Sequence, residues 1–353
     1  MRILSFDMGW SNSVSCLLDS DRGEVHYQSL PTLAVKYEQR MEQTRPDVVV
    51  IEAGPLAGWV KDLCDRRGQR LLVLNTNDEP WQWRKVKHKS DRKDACKLCR
   101  LVILEQGSAV HVPSHAVRQW RQLIYYRQTL VDEMVSIKNR LRAVLLQEQR
   151  PLPDGKKAWG GTEYQRLRAL GLELGACQDD ELWRGMVKLE LERLEQLQQQ
   201  LEQVEQKLNA IGRVKEAVKR LQQAPGVGAR TAELVVAMID DAKRFGRGRE
   251  VASYGGFTPT KFASGKTDRD GRISRAGNGL LRKYLVQAAW SGKRNCPQMQ
   301  AIYRRVRRDS PKRAKQAIVA VARHLLVWLW AMLRDGTDWR EHGRVLTPSL
   351  SAA

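Results

Sequence analysis

Val48-Val49-Val50-Ile51 is an unbroken β-branched run that stops at a carboxylate, Glu52. A strand with no polar position along it suits the interior of a sheet, covered on both faces. That one segment commits the N-terminal part of the chain to a layered α/β architecture. Residues 2–7 form a shorter apolar run ending in Asp7, close to Gly9. Val14-Ser15-Cys16-Leu17-Leu18 is a second strand, and Glu24 to Gln28 a third after the turn Asp21-Arg22-Gly23. Residues 32–44 are helical up to Pro46, a helix is expected from about Ala57 to Arg67, and Leu71-Leu72-Val73-Leu74 is another buried strand. Three hairpin-linked strands followed by alternating helix and strand describe a mixed sheet.

Beyond the sheet the apolar spacing becomes helical. Val117, Trp120, Ile124, Leu130, Met134, Ile137, Leu141, Val144 and Leu145 mark a helix within 115–149. Residues 150–180, broken by Pro151, Pro153, Gly155, Gly160 and Gly161, read as a loop-rich linker. Residues 183–222 form one long helix, on which Leu194, Leu197, Leu201, Val204, Leu208 and Ile211 alternate by three and four, the seam of a coiled coil. Pairing between chains is the favoured use of that seam; pairing within one chain satisfies the same pattern. Residues 224–340 read as a compact helical domain with loops. Its last helix, Pro311 to Leu333, is interrupted by Lys315, Gln316, Arg323 and His324 and so reads as a core helix rather than a membrane span. The expected division is 1–112, an α/β nuclease-like domain; 113–222, a helical coiled-coil and oligomerisation region; and 223–353, a basic all-α domain.

The chain carries a formal net charge of +21, and the charge is concentrated. Residues 1–100 hold 17 Lys/Arg against 14 Asp/Glu, and residues 101–223 hold 19 against 16. Residues 224–340 hold 24 against 9, a net +15. That excess is far beyond what solubility needs and points to a polyanion on the last third. The six cysteines have no framework spacing, and Arg2 and Asp7 bring charge too early for a secretory leader, so a reducing cytoplasm is expected. Cys96 and Cys99, a CxxC without a second pair, read as small buried hydrophobes rather than a zinc site.

Four carboxylates stand out by position. Asp7 and Glu52 end strands, where ligands bind in open α/β folds. Asp91 and Asp94, three apart in Lys89-Ser90-Asp91-Arg92-Lys93-Asp94, share a helical face. Taken singly, each is an ordinary strand-end or cap residue. Together they suit Mg²⁺, a hard cation that prefers oxygen ligands. Phosphodiester chemistry favours two such ions about 3.5–4 Å apart, stabilising the attacking and leaving oxygens.

In the basic domain, Pro225-Gly226-Val227-Gly228 before a helix resembles a helix-hairpin-helix element. Its glycines are expected to turn backbone N–H groups toward a phosphate, with Arg230 alongside. Further on, Ser264 lies among Lys261, Lys266, Arg269 and Arg272, with Arg275 and Arg282 beyond. A hydroxyl between cations is placed to attack a phosphate. Ser253 and Ser274 remain rivals for that role, and a loop serine beside a turn glycine is itself common.

With these residues in place, the chain resembles the DEDD transposases of the bacterial insertion-sequence group IS110, described as bridge-RNA-guided serine recombinases. Asp7, Glu52, Asp91 and Asp94 match the family's four acids in order. The C-terminal block is matched by Pro225 to Ala232, Arg244-Phe245, Tyr254-Gly255-Gly256-Phe257-Thr258-Pro259, Ser264-Gly265, Gly277-Asn278 and Leu281-Arg282. Ser90 and Phe257 stand where Thr and Leu are usual. The resemblance implies a RuvC-like RNase-H fold, a coiled-coil linker and a transposase domain whose nucleophile maps to Ser264. It also implies a structured guide RNA, target and donor DNA, and a homo-oligomer up to a tetramer that pairs one chain's acids with another's serine. The expected activity is insertion and excision of a mobile element in a bacterial cytoplasm, at the nucleoid, with no membrane partner. Two other readings stay open: a junction-resolving Mg²⁺ nuclease that needs no Ser264, and a nucleic-acid-binding protein with structural acids.

Overall fold

The computed structural model describes residues 1–75, 90–264 and 267–339, with backbone only for 261–264, 267, 268 and 270. The chain forms two compact units, Met1–Gln119 and Trp120–Ala353.

The first unit is a five-stranded sheet. Its strands are β1 (Arg2–Met8), β2 (Asn12–Asp19), β3 (Glu24–Pro31), β4 (Val48–Glu52) and β5 (Leu71–Leu74), in the order β3-β2-β1-β4-β5. The hairpin strands β1, β2 and β3 pair antiparallel, while β4 runs parallel to both β1 and β5. This is the mixed sheet expected from the sequence, and it is consistent with an RNase-H-like domain. The β-branched run lies at its centre, with Val48, Val49, Val50 and Ile51 all buried.

Strand alternation divides the core. Leu4, Phe6, Val49 and Ile51 face α1 (Ala34–Thr44) and α2 (Ala57–Arg66), where Phe6 stacks on Tyr37 at 4.0 Å. Ile3, Val48 and Val50 face α3 (Asp91–Ile103), among Ala95, Leu98 and Cys99. None of the six cysteines is paired. Cys96 and Cys99 are both buried, Cys99 with its thiol toward the Cys16 carbonyl at 3.5 Å, as small core residues should be.

α4 (His115–Gln147) carries the chain from the first unit into the second, where it pairs antiparallel with α6 (Leu182–Arg213). Arg127–Glu205, Arg140–Glu190 and Arg193–Glu133 tie their flanks. The seam residues Leu191, Leu194, Leu197, Val204 and Leu208 are buried in the same core as Ile137, Leu141 and Leu145 of α4. The favoured expectation of pairing between chains is therefore corrected: this seam is closed within one chain. The residues between the two helices are more ordered than a linker, with α5 (Gly161–Leu170) tied to α6 by Tyr164–Glu195 and Arg168–Glu195. The expected single helix 183–222 is broken after Arg213. Gly212 there lets the buried Glu233 side chain approach, and α7 (Glu216–Gln222) starts a new axis.

α8 (Ala229–Ile239), α9 (Gly248–Tyr254), α10 (Gly279–Gly292), α11 (Pro297–Arg307) and α12 (Ala314–Asp335) complete the unit. α12 passes a length-and-composition test for a membrane span, yet 61% of its most apolar window is buried among the other helices, as a core helix is. One element departs from the expected helical domain. Residues Pro259–Ser264 (β6) and Thr267–Ile273 (β7) form an antiparallel hairpin with an irregularity between Pro259 and Lys261.

Candidate active site

The first candidate set sits at the carboxyl ends of β1 and β4. The parallel register runs Ile3↔Val48 to Phe6↔Ile51, so Asp7 and Glu52 are the next pair along. Both follow the Ile3/Val48 parity and therefore project to the α3 face. Ser90 caps α3, its hydroxyl accepting from Lys93 N at 3.4 Å, which puts Asp91 and Asp94 in the first turn. Acids there are favoured by the helix dipole, the structural reason for such residues in any helix. The start of α3 is clamped to the sheet by Ser5 Oγ, which donates to the Ala95 carbonyl at 2.6 Å. Ser5 and Asp7 are two apart on one strand face, and Ala95 follows Asp94. Asp7, Glu52 and the acidic turn of α3 thus share one side of the sheet.

Their exposures differ. Asp91 is exposed, Asp7 and Glu52 are half-buried, and Asp94 is only 5% exposed. Burial holds the Lys97 ammonium below its ordinary pKa, with Asp94 opposing the shift. The donor set is all oxygen, as a hard divalent cation requires. Among the described residues, however, no three carboxylates, imidazoles or thiols stand close enough to share one ion.

The second candidate set is the C-terminal block, and most of its residues prove to be structural. Gly226 has φ +82°, and a Cβ there would fall on the Ala288 carbonyl and 2.5 Å from Gly292 N. Gly226 is glycine because the loop packs against the backbone of α10. Gly228, at the N-cap of α8, has open space around it and is the one free to meet an anion. Arg230 turns inward, donating to Glu233 at 2.7 Å, to Asn209 at 2.7 Å and to the Glu205 carbonyl at 3.2 Å. Arg230, expected beside a phosphate, thus has a structural role within the unit.

Arg282, half-exposed, also spends its guanidinium on the backbone of its own unit. It donates to the carbonyls of Gly255 (3.1 Å), Gly277 (2.6 Å) and Arg275 (3.2 Å). Around it Gly277 lies against the Tyr254 carbonyl with no room for a Cβ. Arg282 therefore pins two backbone segments at the base of the β6–β7 hairpin, where Ser274 N donates to the Thr258 carbonyl at 2.8 Å. Asn278 caps α10, accepting from Leu281 N at 2.9 Å.

The hairpin itself carries the predicted serine. Ser264 ends β6 opposite Thr267, and Lys261 lies opposite Asp270. Lys266 and Gly265 lie outside the described residues, as do the side chains of Lys261 and Ser264. Arg269, Arg272 and Arg275 are exposed along β7 and after it. Of the rivals, Ser253 lines a cavity of about 520 Å³ with Glu250, Tyr254 and Asn278, while Ser274 Oγ accepts weakly from Ala276 N at 3.5 Å.

Sequence reasoning missed the clamp behind this block. Arg121 and Arg244 both donate to carbonyls at the end of α8, and the Tyr254 hydroxyl donates to Met238 O at 2.9 Å. Arg244 also lies over the Phe245 and Tyr254 rings at 4.1 and 4.7 Å. The signal was the Arg244-Phe245 pair, a cation and a ring in one motif. The hairpin had a signal too: Gly265-Lys266 is a Gly-X dipeptide, the sequence signature of a two-residue loop.

Comparison with known proteins follows the same two blocks. A transposase profile of the DEDD IS110 type matches residues 4–149, and a profile described as the transposase IS116/IS110/IS902 family matches residues 218–304. Among relatives, a putative transposase, y4rJ, of Sinorhizobium fredii is 28% identical over 325 residues, covering 82% of this chain and 78% of the relative. The transposase for insertion sequence element IS1111A of Coxiella burnetii is 25% identical over 356 residues, covering 96% and 92%. A probable family 20 transposase of Pseudomonas aeruginosa is 29% identical over 308 residues, covering 84% and 87%.

Proposed function

The chain belongs to the IS110 family of DEDD transposases, and on that premise we propose that it cuts and rejoins DNA through a serine nucleophile, guided by a structured RNA. Asp7, Glu52, Asp91 and Asp94 would hold Mg²⁺, which when bound supplies charge neutralisation at the scissile phosphate. The observation that carries this reading is the shared sheet face of Asp7, Glu52 and the first turn of α3.

Ser264 is the proposed nucleophile. Its Oγ forms a bond to phosphorus, the hydroxyl proton leaves, and the bond to one deoxyribose oxygen breaks, releasing a strand end with a free hydroxyl. Attack by that or another hydroxyl on the phosphoserine reverses the step and rejoins DNA without an external energy source. The exposed Arg269, Arg272 and Arg275 supply positive charge for the phosphoryl oxygens. α7, the following loop and α8 are read as a helix-hairpin-helix-like element, the α4–α6 hairpin as an intrachain coiled coil, and the working unit as a homo-oligomer. In the three-part division proposed for the chain, 1–112 holds the acids, 113–222 the helical hairpin and 223–353 the serine.

The test is cleavage of a DNA carrying element ends, with Mg²⁺ and the RNA, followed by a denaturing gel. The parent protein should give a covalent protein–DNA adduct, Asp7→Asn and Asp91→Asn should give none while still binding DNA, and Ser264→Ala should bind and give no adduct. Free ends without adduct would replace this reading with a junction-resolving nuclease. An adduct persisting in Ser264→Ala would move the nucleophile to Ser253 or Ser274.

A further inference from the structure

A denser run of positive charge than that of the β6–β7 hairpin lies further along the chain. Residues 293–315 contain nine Lys/Arg and one acid, Asp309. The structure arranges them in a particular way. α11 buries Met299 and half-buries Ile302, Tyr303 and Val306, one helical face turned to the rest of the unit. Arg304, Arg305 and Arg308 stand exposed on the other side, and the chain continues at once into exposed Lys312, Arg313 and Lys315 at the start of α12. Among the described residues, no carboxylate pairs with any of these six. By contrast, Arg127, Arg140, Arg168 and Arg184 of the same unit each have an acid within 3 Å. A surface that leaves six neighbouring cations uncompensated repels itself unless a polyanion covers it.

We propose that this ridge binds the phosphate backbone of duplex DNA, flanking the segment on which the hairpin acts; the choice of DNA rests on the transposase reading above. Arg and Lys side chains offer donors only, which suits them to phosphate oxygens; the transposase reading makes DNA the polyanion, and the duplex-RNA arm of the test separates the two. Arg304 and Arg308, four residues apart, are spaced by about one helical turn, roughly 6 Å along the axis. They can take separate phosphates of one strand. Single-strand binding needs open aromatic faces for bases to stack on. On Trp290 and Tyr303 the Lys293 ammonium already sits over one ring face, 4.4 and 3.8 Å from the centroids. Backbone contact without stacking or base reading makes the ridge a sequence-independent clamp.

The experiment is the salt dependence of binding to a 30-bp DNA duplex of arbitrary sequence, without element ends, using the full chain and fluorescence anisotropy. Each phosphate contact contributes about 0.9 to the slope of log K against log salt. The triple variant Arg304→Gln, Arg308→Gln, Arg313→Gln should reduce the slope by about 2 to 3 and weaken binding on the order of a hundredfold near 0.15 M salt. A second triple, Arg305→Gln, Lys312→Gln, Lys315→Gln, should give the same shift, so the test does not hang on the folding of one variant. A control triple removing three exposed cations of the first unit, Lys36, Arg66 and Arg70, should change the slope by less than one. Binding is read without cleavage, so an Asp7→Asn chain that keeps the parent slope separates this site from the catalytic reading. An unchanged DNA slope in both ridge triples, an equal loss in the control, or a loss seen on duplex RNA but not on DNA each overturns the proposal.

Discussion

Gly226 and Gly228 share one motif, and the structure assigns them different work. At Gly226 a methyl group meets two penalties. The residue sits at φ +82°, where an L side chain costs roughly 1–2 kcal/mol. Its Cβ would also fall on the Ala288 carbonyl and within 2.8 Å of Gly292 Cα, backbone atoms of a packed helix that cannot swing aside as a side-chain tip would. Forced overpacking of this kind costs about 1–3 kcal/mol. Gly226→Ala should therefore destabilise the second unit by about 3 kcal/mol, the sum of those two ranges taken near its middle. For a unit of this size each kcal/mol lowers Tm by about 2–4 °C, so the expected drop is about 6–12 °C. At Gly228 nothing lies within 4 Å of a built Cβ, and φ is negative. Gly228→Ala loses only a mild N-cap preference, under about 1 kcal/mol. The assay is a pair of thermal melts by circular dichroism, with DNA binding measured on each variant well below its Tm. Folded Gly226→Ala should bind as the parent does. If its Tm stays within about 2 °C of the parent while its DNA affinity collapses, Gly226 serves a phosphate nest and the packing argument fails.

Arg282→Ala strands the Gly255, Arg275 and Gly277 carbonyls of the knot under the hairpin; leaving such groups unmet costs about 2 kcal/mol, and adduct formation should fall with it, whereas retained activity and Tm would show the knot is not what positions β6–β7. Leu194→Asp places a charge in a fully buried seam, which should cost about 3–5 kcal/mol and melt the α4–α6 hairpin; a parent Tm that rises with protein concentration would show instead that the seam is shared between chains. Arg230→Ala leaves Glu233 buried without its cation. Burial already raises the Glu233 pKa and Arg230 opposes that rise. An acid with a raised folded-state pKa binds more protons folded than unfolded, so its penalty appears as pH rises above the unfolded value and is complete above the folded one. The loss in Arg230→Ala, about 3 kcal/mol near neutral pH, should shrink toward acid pH in melts taken across that window; a loss that is constant with pH would mean Glu233 does not titrate there.

Much of the first unit was legible in order. The run Val48–Ile51 suited a central strand, and the strands and helices around it fall within three residues of their expected bounds, β3 running on from Gln28 to Pro31, because short-range patterning and turns govern them. Asp7 and Glu52 were singled out by the same logic, since a carboxylate after a buried strand is displayed at the sheet edge, while Asp91 and Asp94 were singled out by their spacing on one helical face. The second unit was read less well. The hairpin was passed over because Gly265-Lys266 lies amid glycines and serines that look like loop, and strand pairing depends on a partner that local periodicity does not name.

Residue roles in the C-terminal block separate the two kinds of information most clearly. Composition alone established a strongly basic domain, since charge is a sum over residues and needs no coordinates. It could not tell which cations face outward. Arg230 and Arg282, chosen for their motif positions, turn inward onto Glu233 and onto three carbonyls, while Arg304, Arg305 and Arg308 stand exposed. The seam of α6 shows the same division: its heptad-like spacing determined that the helix must bury one face, and only the fold decided that α4 of the same chain covers it. An amphipathic pattern specifies that a surface must leave water, but the identity of the covering surface is a long-range contact, set by which partner the connecting chain can deliver at the least loss of entropy.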